Sequence, residues 1–273
     1  MRALAREYLT VGGCRLEYCW IGSAAGDAPT IVFLHEGLGS IAQWRNFPAA
    51  LCERTGRRGL VYNRRGYGGS DPLDRLSPRF MHDEALDVLP RVLDALDIER
   101  PVLFGHSDGG SIALIYAGSK PPLAGLILEA PHVFVEDVTV RRIAELSASY
   151  RATDLRARLE RHHGRNVDGL FDEWTRIWLS AEFRGWNLEE HLRGIGCPAL
   201  VIQGRDDEYG TLSQVNAIAA ALPDVETLVI DGCGHAPHIE RREDVLDASA
   251  GFLVRRVRFS RTSAGSAGGD TTT

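Results

Sequence analysis

Val102-Leu103-Phe104-Gly105-His106-Ser107-Asp108-Gly109-Gly110-Ser111 is the stretch from which the rest of the chain can be read. Three apolar residues form a short run suited to a strand buried on both faces. Gly105 to Gly109 then fits GxSxG, and Ser111 to Ala117 reads as a helix. A serine on a sharp turn from strand to helix sits in strained backbone, with glycine where a side chain would strike the neighbouring strand or helix. Its Oγ projects above the sheet, beside a helix N-terminus that favours developing negative charge.

Outward from this turn the chain alternates strand and helix. Glu7 to Val11 and Arg15 to Ile21, separated by Gly12-Gly13, read as an antiparallel edge hairpin. Ile31 to Leu34, Leu60 to Tyr62, Gly125 to Glu129, Ala199 to Gln203 and Thr227 to Ile230 are further strand candidates. Met81 to Leu96 carries one apolar helical stripe, and Arg242 to Val254 reads as a terminal amphipathic helix. The fold class is therefore α/β, a mostly parallel sheet of about eight strands with helices on both faces. Some sixty residues between Glu129 and Ala199 carry no strand signal and form an insertion after the sixth strand. Asp154 to His162 and Gly169 to Leu179 are its expected helices, with Phe171, Trp174 and Trp178 on one face, either packing the insertion or lining a pocket. The resulting division is a core of residues 1–131 and 195–258, an insertion of 132–194, and a disordered tail of 260–273 rich in Ser, Thr and Gly.

A serine hydroxyl is a poor nucleophile at neutral pH, so it needs a base, and the base needs an orienting carboxylate. Gly204-Arg205-Asp206-Asp207 follows one strand candidate and Gly232-Cys233-Gly234-His235 follows the next. Both fall at strand C-terminal ends, where α/β sheets place ligands. The order Ser, Asp, His is that of α/β-hydrolases.

On these stretches, together with Leu34-His35-Glu36-Gly37-Leu38-Gly39-Ser40 and Arg65-Gly66-Tyr67-Gly68-Gly69-Ser70, the chain resembles the α/β-hydrolase superfamily over about residues 5 to 255. The resemblance is to members with a helical lid inserted after the sixth strand, such as carboxylesterases and meta-cleavage-product hydrolases. It implies Ser107 as nucleophile, His235 as general base and acid, and Asp207 as the orienting acid, with Asp206 as its competitor. It also implies an oxyanion hole made by the N–H groups of Gly37 and Asp108. Leu38 and Trp178 are candidate substrate contacts, as is His132, which lies just past a strand end and is either such a contact or a rim histidine bonded to backbone. Glu36 departs from the pattern, since most similar proteins have glycine there. A carboxylate next to an oxyanion would oppose it, so Glu36 is expected to face a structural partner.

Serine in place of aspartate argues against epoxide hydrolase and dehalogenase chemistry. Gly66-Tyr67-Gly68-Gly69 is not a dinucleotide loop, because the third glycine of GxGxxG falls at Asp71. Lys120, the sole lysine, precedes Pro121-Pro122, which argues against Schiff-base or P-loop chemistry. The formal net charge of −6 gives no general affinity for nucleic acid or anionic membrane. Five cysteines without CxxC spacing signal neither a disulfide framework nor a zinc site. The adjacent His162-His163 point to different helix faces and make a poor metal pair, and His238 is assigned to the surface or to support of the site. Arg45, Arg184 and Arg193 are candidate partners of a substrate carboxylate. No run approaches the roughly 18 apolar residues of a spanning helix. The expectation is a cytoplasmic hydrolase without metal or cofactor that cleaves a small to medium carboxylic ester, with a homo-oligomer left open. Lactonase, thioesterase, C–C bond hydrolase, perhydrolase or haloperoxidase, and a ligand-binding receptor on the same fold stand as alternatives.

Overall fold

In a computed structural model, which describes residues 5–23 and 28–257, eight strands form one sheet. They are β1 (Glu7–Val11), β2 (Cys14–Ile21), β3 (Ile31–Leu34), β4 (Gly59–Tyr62), β5 (Val102–His106), β6 (Gly125–Glu129), β7 (Ala199–Gly204) and β8 (Val225–Ile230). The order across the sheet is β1-β2-β4-β3-β5-β6-β7-β8. β1 and β2 pair antiparallel around Gly12-Gly13, β2 pairs antiparallel with β4, and every later pair is parallel.

The helices are α1 (Phe47–Thr55), α2 (Phe80–Asp83), α3 (Leu89–Ala95), α4 (Asp108–Gly118), α5 (Asp137–Ser149), α6 (Leu155–His163), α7 (Val167–Trp178), α8 (Glu189–Leu192), α9 (Leu212–Ala221), α10 (Pro237–Glu240) and α11 (Arg242–Arg256). Alternation along each parallel strand supplies two apolar faces. Ile31, Phe33 and Phe104 pack with α1 and α11, through Phe47, Leu51 and Phe252. Val32, Leu34 and Leu103 pack on the other face with α3 and α4.

The single apolar stripe expected over Met81–Leu96 is instead α2, a π-helical turn at Glu84–Val88, and α3. The extra residue of that turn coincides with buried Glu84, which accepts a 2.6 Å hydrogen bond from the Tyr62 hydroxyl. α4 starts at Asp108 rather than Ser111, so Ser107 immediately precedes the helix. Four helices, α5 to α8, lie between β6 and β7; α5 was not expected from the sequence. Within this segment Tyr150 stacks on Phe171 at 3.7 Å, and Leu159 and Val167 complete a small separate core. The expected tail of 260–273 lies outside the described residues. No helix among the described residues is long and apolar enough to cross a membrane.

Candidate active site

The parallel register brings the C-terminal ends of β3, β5, β6, β7 and β8 to one edge: Leu34 pairs with Gly105, His106 with Glu129, and Gly204 with Ile230. The segments leaving these ends carry His35-Glu36-Gly37, Ser107, His132, Asp207 and His235.

Ser107 has φ +53 and ψ −118, a conformation that L-residues hold only when their surroundings enforce it. The crossing of strand and helix enforces it here. A Cβ on Gly105 would stand 2.3 Å from the Gly109 carbonyl oxygen, and one on Gly109 would stand 2.0 Å from that of Leu34. Only glycine permits so close a crossing, and the elbow lifts the Ser107 Oγ into the cleft.

The Ser107 hydroxyl donates to His235 Nε2 at 3.0 Å, and His235 Nδ1–H donates to Asp207, with both carboxylate oxygens at 2.9 Å. Asp207 also accepts from Gln203 Nε2 at 2.6 Å and from the Tyr209 and Gly210 amides at 2.8 and 3.2 Å. Burial alone would raise its carboxyl, but the His235 ring and these bonds outweigh burial and hold it below the usual carboxylate range. Burial likewise opposes protonation of His235, yet Asp207, and beyond it Glu36, raise its affinity for a proton. Asp206, the competing acid, makes none of these contacts; its amide donates to the Cys233 carbonyl.

Three successive carbonyls of the loop after β3 are held from behind. Arg64 Nη2 donates to Glu36 O at 2.8 Å, the Tyr67 hydroxyl to Gly37 O at 2.7 Å, and His163 Nε2–H to Leu38 O at 3.0 Å. The Gly37 and Asp108 N–H groups donate to no other described residue, and both residues line the cleft with Ser107. Tyr67, from the Arg65–Ser70 stretch singled out in the sequence, and Arg64 just before that stretch thus orient this loop. His163, from α6, was not recognised as part of the site. It accepts the Gly68 N–H at Nδ1 (3.1 Å) and donates at Nε2, bridging both loops, and burial pushes its pKa down to about 4.

The cleft holds about 410 Å³ of free space, part of it open to solvent. Leu38, His132 and Trp178 line it, together with Trp174, Tyr209 and the α5 residue Ile143. Of the three aromatics at helical spacing on α7, Trp174 and Trp178 thus reach the cleft and Phe171 packs against Tyr150. Burial and the neighbouring His235 drive the pKa of His132 down to about 3, so it is a neutral ring at physiological pH. Trp174 Nε1 donates to Asp108 Oδ2 at 2.9 Å.

One further reading needs correction. Glu36 has no structural partner: its side chain bonds to no described residue, and the residue lines both the cleft and a small neighbouring cavity with His106 and His238. Of the two places considered for His238, the surface is excluded: it is buried behind the site, its ring 5.0 Å from that of His106 and Nδ1 2.9 Å from Glu129. Arg45, Arg184 and Arg193 do not line the cleft, and Arg184 pairs with Asp137 at 2.8 Å. Glu36, His106 and His235 form one group of metal-ligand type, and His106, Glu129 and His238 another. His235 commits both ring nitrogens to Asp207 and Ser107, and Glu129 commits both oxygens to His238, so neither group offers three uncommitted donors.

Fold and elbow define the class, and sequence comparison agrees. Residues 31–248 match the Alpha/beta hydrolase family, and the chain belongs to it. It is similar to the sn-1-specific diacylglycerol lipase of Mus musculus, 24% identical over 84% of this chain and 83% of the relative. A 2-hydroxy-6-oxononadienedioate/2-hydroxy-6-oxononatrienedioate hydrolase of Paraburkholderia phymatum is 27% identical over 88% and 93%. The crystal structure of the enol-lactonase from Burkholderia xenovorans has the same fold, with a TM-score of 0.74 and 21% identity over 91% of this chain and all (100%) of that one. These relatives are hydrolases acting on different bonds.

Proposed function

We propose that the protein is a cofactor-independent serine hydrolase that cleaves a small to medium carboxylic ester through an acyl-enzyme. The observation that carries this reading is the unbroken chain from the Ser107 hydroxyl to His235 Nε2, 3.0 Å, and from His235 Nδ1 to Asp207, 2.9 Å. Distances in this range let His235 take the Ser107 proton as Oγ attacks the carbonyl carbon. Asp207, held ionised, keeps the ring in the tautomer that accepts at Nε2 and stabilises the imidazolium that forms.

The carbonyl oxygen becomes an oxyanion received by the Gly37 and Asp108 amides, the latter at the N-terminus of α4. His235 returns its proton to the leaving alkoxide. Water, activated by the same ring, then releases the acid. Helices α5 to α8 serve as a lid whose Ile143, Trp174 and Trp178 give the acyl group an apolar wall.

A panel of esters, thioesters, lactones and vinylogous diketones of graded size tests the reading. The ester series is expected to show the highest kcat/KM, and Ser107→Ala is expected to lower it by about 10³-fold or more with the fold retained. An unchanged rate in the variant would remove Ser107 from the mechanism; a thioester, lactone or diketone preference would keep the mechanism and replace the substrate.

A further inference from the structure

Glu36 is a carboxylate for which the resting site supplies no hydrogen-bond or ion-pair partner among the described residues. Its carboxylate lies beside Gly37, whose amide would face an oxyanion, and within 4.8 Å of ring nitrogens of His106 and His235. It makes no hydrogen bond or ion pair with a described residue. Arg64, a buried cation behind this loop, donates to the Glu36 backbone carbonyl and lies against the His35 ring, with no hydrogen bond or ion pair to the Glu36 carboxylate. No lysine or arginine lines the cleft, and the second acid there, Asp108, accepts only from Trp174.

His235 does not supply a compensating charge in the resting site, where it is neutral and accepts from the Ser107 hydroxyl; it becomes cationic only as the oxyanion forms. In the resting site a half-buried carboxylate without a partner is costly unless a bound cation accompanies it. The rest of the cleft suits one. Trp174 and Trp178 present aromatic surface, which attracts ammonium groups while excluding water, whereas the Tyr209 ring already carries the Arg142 guanidinium at 5.7 Å.

We propose that Glu36 is a specificity-determining residue and that the substrate carries a positively charged ammonium group, seated between the Glu36 carboxylate and the aromatic wall. This rests on the serine-hydrolase reading for the reaction, though not for the binding. Glu36 receives the cation through charge, and the neutralised pair no longer opposes the oxyanion. An uncharged ester of the same shape leaves the carboxylate without a bound counter-charge.

Two isosteric pairs test this, one with the charge on the alcohol side and one on the acyl side. They are acetylcholine against 3,3-dimethylbutyl acetate, and 4-nitrophenyl 4-(trimethylammonio)butanoate against 4-nitrophenyl 5,5-dimethylhexanoate. In the wild-type protein at least one pair is expected to favour the cation by tenfold or more in kcat/KM, about 1.4 kcal/mol. The ratio is expected to collapse to about threefold or less in both Glu36→Gln and Glu36→Gly, the latter restoring the residue usual in similar proteins. Both pairs at parity in the wild type, or a preference that survives both substitutions, would overturn the proposal. Thermal shifts with choline and with 3,3-dimethylbutan-1-ol, and with the amides of the two test acids, read binding without turnover. Stabilisation by a cationic member alone, lost in the Glu36 variants, would uphold the cation site even if no ester is cleaved, an outcome that would instead sink the hydrolase reading.

Discussion

Trp174 Nε1 donates to Asp108 Oδ2 at 2.9 Å, so the helix α7 that covers the cleft is fastened to the residue directly after Ser107. The same indole lies over the loop after β3, where a Cβ on Gly37 would come within 2.4 Å of Trp174 Nε1. One side chain thereby touches both residues whose amides are proposed to hold the oxyanion. Burial pushes the Asp108 carboxyl up, and the Trp174 bond works against that rise.

Trp174→Phe keeps most of the packing and removes the donor. The Asp108 carboxyl, whose Oδ1 already lacks a partner, would then be buried without any from α7. The expected loss is about 1–3 kcal/mol of stability, read by urea denaturation, with a lower kcat on a good ester substrate. Wild-type stability together with wild-type kcat would show that the bond positions nothing.

The pH dependence of catalysis follows from His235. Asp207 and Glu36 raise its proton affinity against the effect of burial, and only the neutral ring can accept the Ser107 proton. Activity therefore falls as pH drops through the His235 pKa. Glu36→Gln removes one of the negative charges that hold this pKa up, so the acidic limb of the kcat/KM profile is expected to move to lower pH. A limb that stays in place or moves upward would contradict the geometry.

His163 gives a pH dependence of stability instead. Its pKa is about 4 in the folded protein against an ordinary 6.5, so between these values the unfolded chain binds the extra proton and the folded one does not. Stability contributed by the neutral ring is complete above pH 6.5 and declines as pH falls toward 4, by up to about 3 kcal/mol. His163→Gln is expected to reduce the slope of urea-derived stability between pH 7 and 5, leaving that due to the other buried histidines with lowered pKa, His35, His106 and His132. An equal slope in the variant would remove His163 as its source.

Behind the site, Glu129 is fully buried, and its carboxyl sits below the usual range because His238 outweighs burial. Glu129→Gln removes the carboxylate that accepts from both the His238 amide and the His238 ring, and is expected to cost about 1–3 kcal/mol at neutral pH by urea denaturation. In the wild type this contribution is present above the ordinary carboxyl pKa and is lost as pH falls through the folded value. A loss under 1 kcal/mol would mean the pair is replaceable by a neutral hydrogen bond.

The parallel sheet was legible because its strands are short apolar runs with nothing else they could be. Ser107 was legible because GxSxG needs the strand before it and the helix after it, and both are written in the sequence. Asp207 could be preferred to Asp206 by spacing from Gly204, and the structure puts Asp207 against His235. α5 was missed because Val138, Thr139 and Val140 open it with β-branched residues and its exposed face is strongly polar, which masks the stripe of Thr139 and Ile143. His163 was unreadable for another reason: its partners Leu38 and Gly68 are distant in sequence and offer only backbone atoms. Glu36 was expected to face a structural partner because a carboxylate next to an oxyanion would oppose it, and no described residue supplies that partner.

The central claim is that Ser107 is an activated nucleophile. Treatment with an alkyl fluorophosphonate, read by intact mass and peptide mapping, tests it without knowledge of the substrate. The account predicts one phosphonyl adduct per chain, mapped to Ser107, absent in Ser107→Ala, and slowed as His235 becomes protonated. An unmodified wild-type chain, or an adduct at another residue that persists in Ser107→Ala, would contradict it.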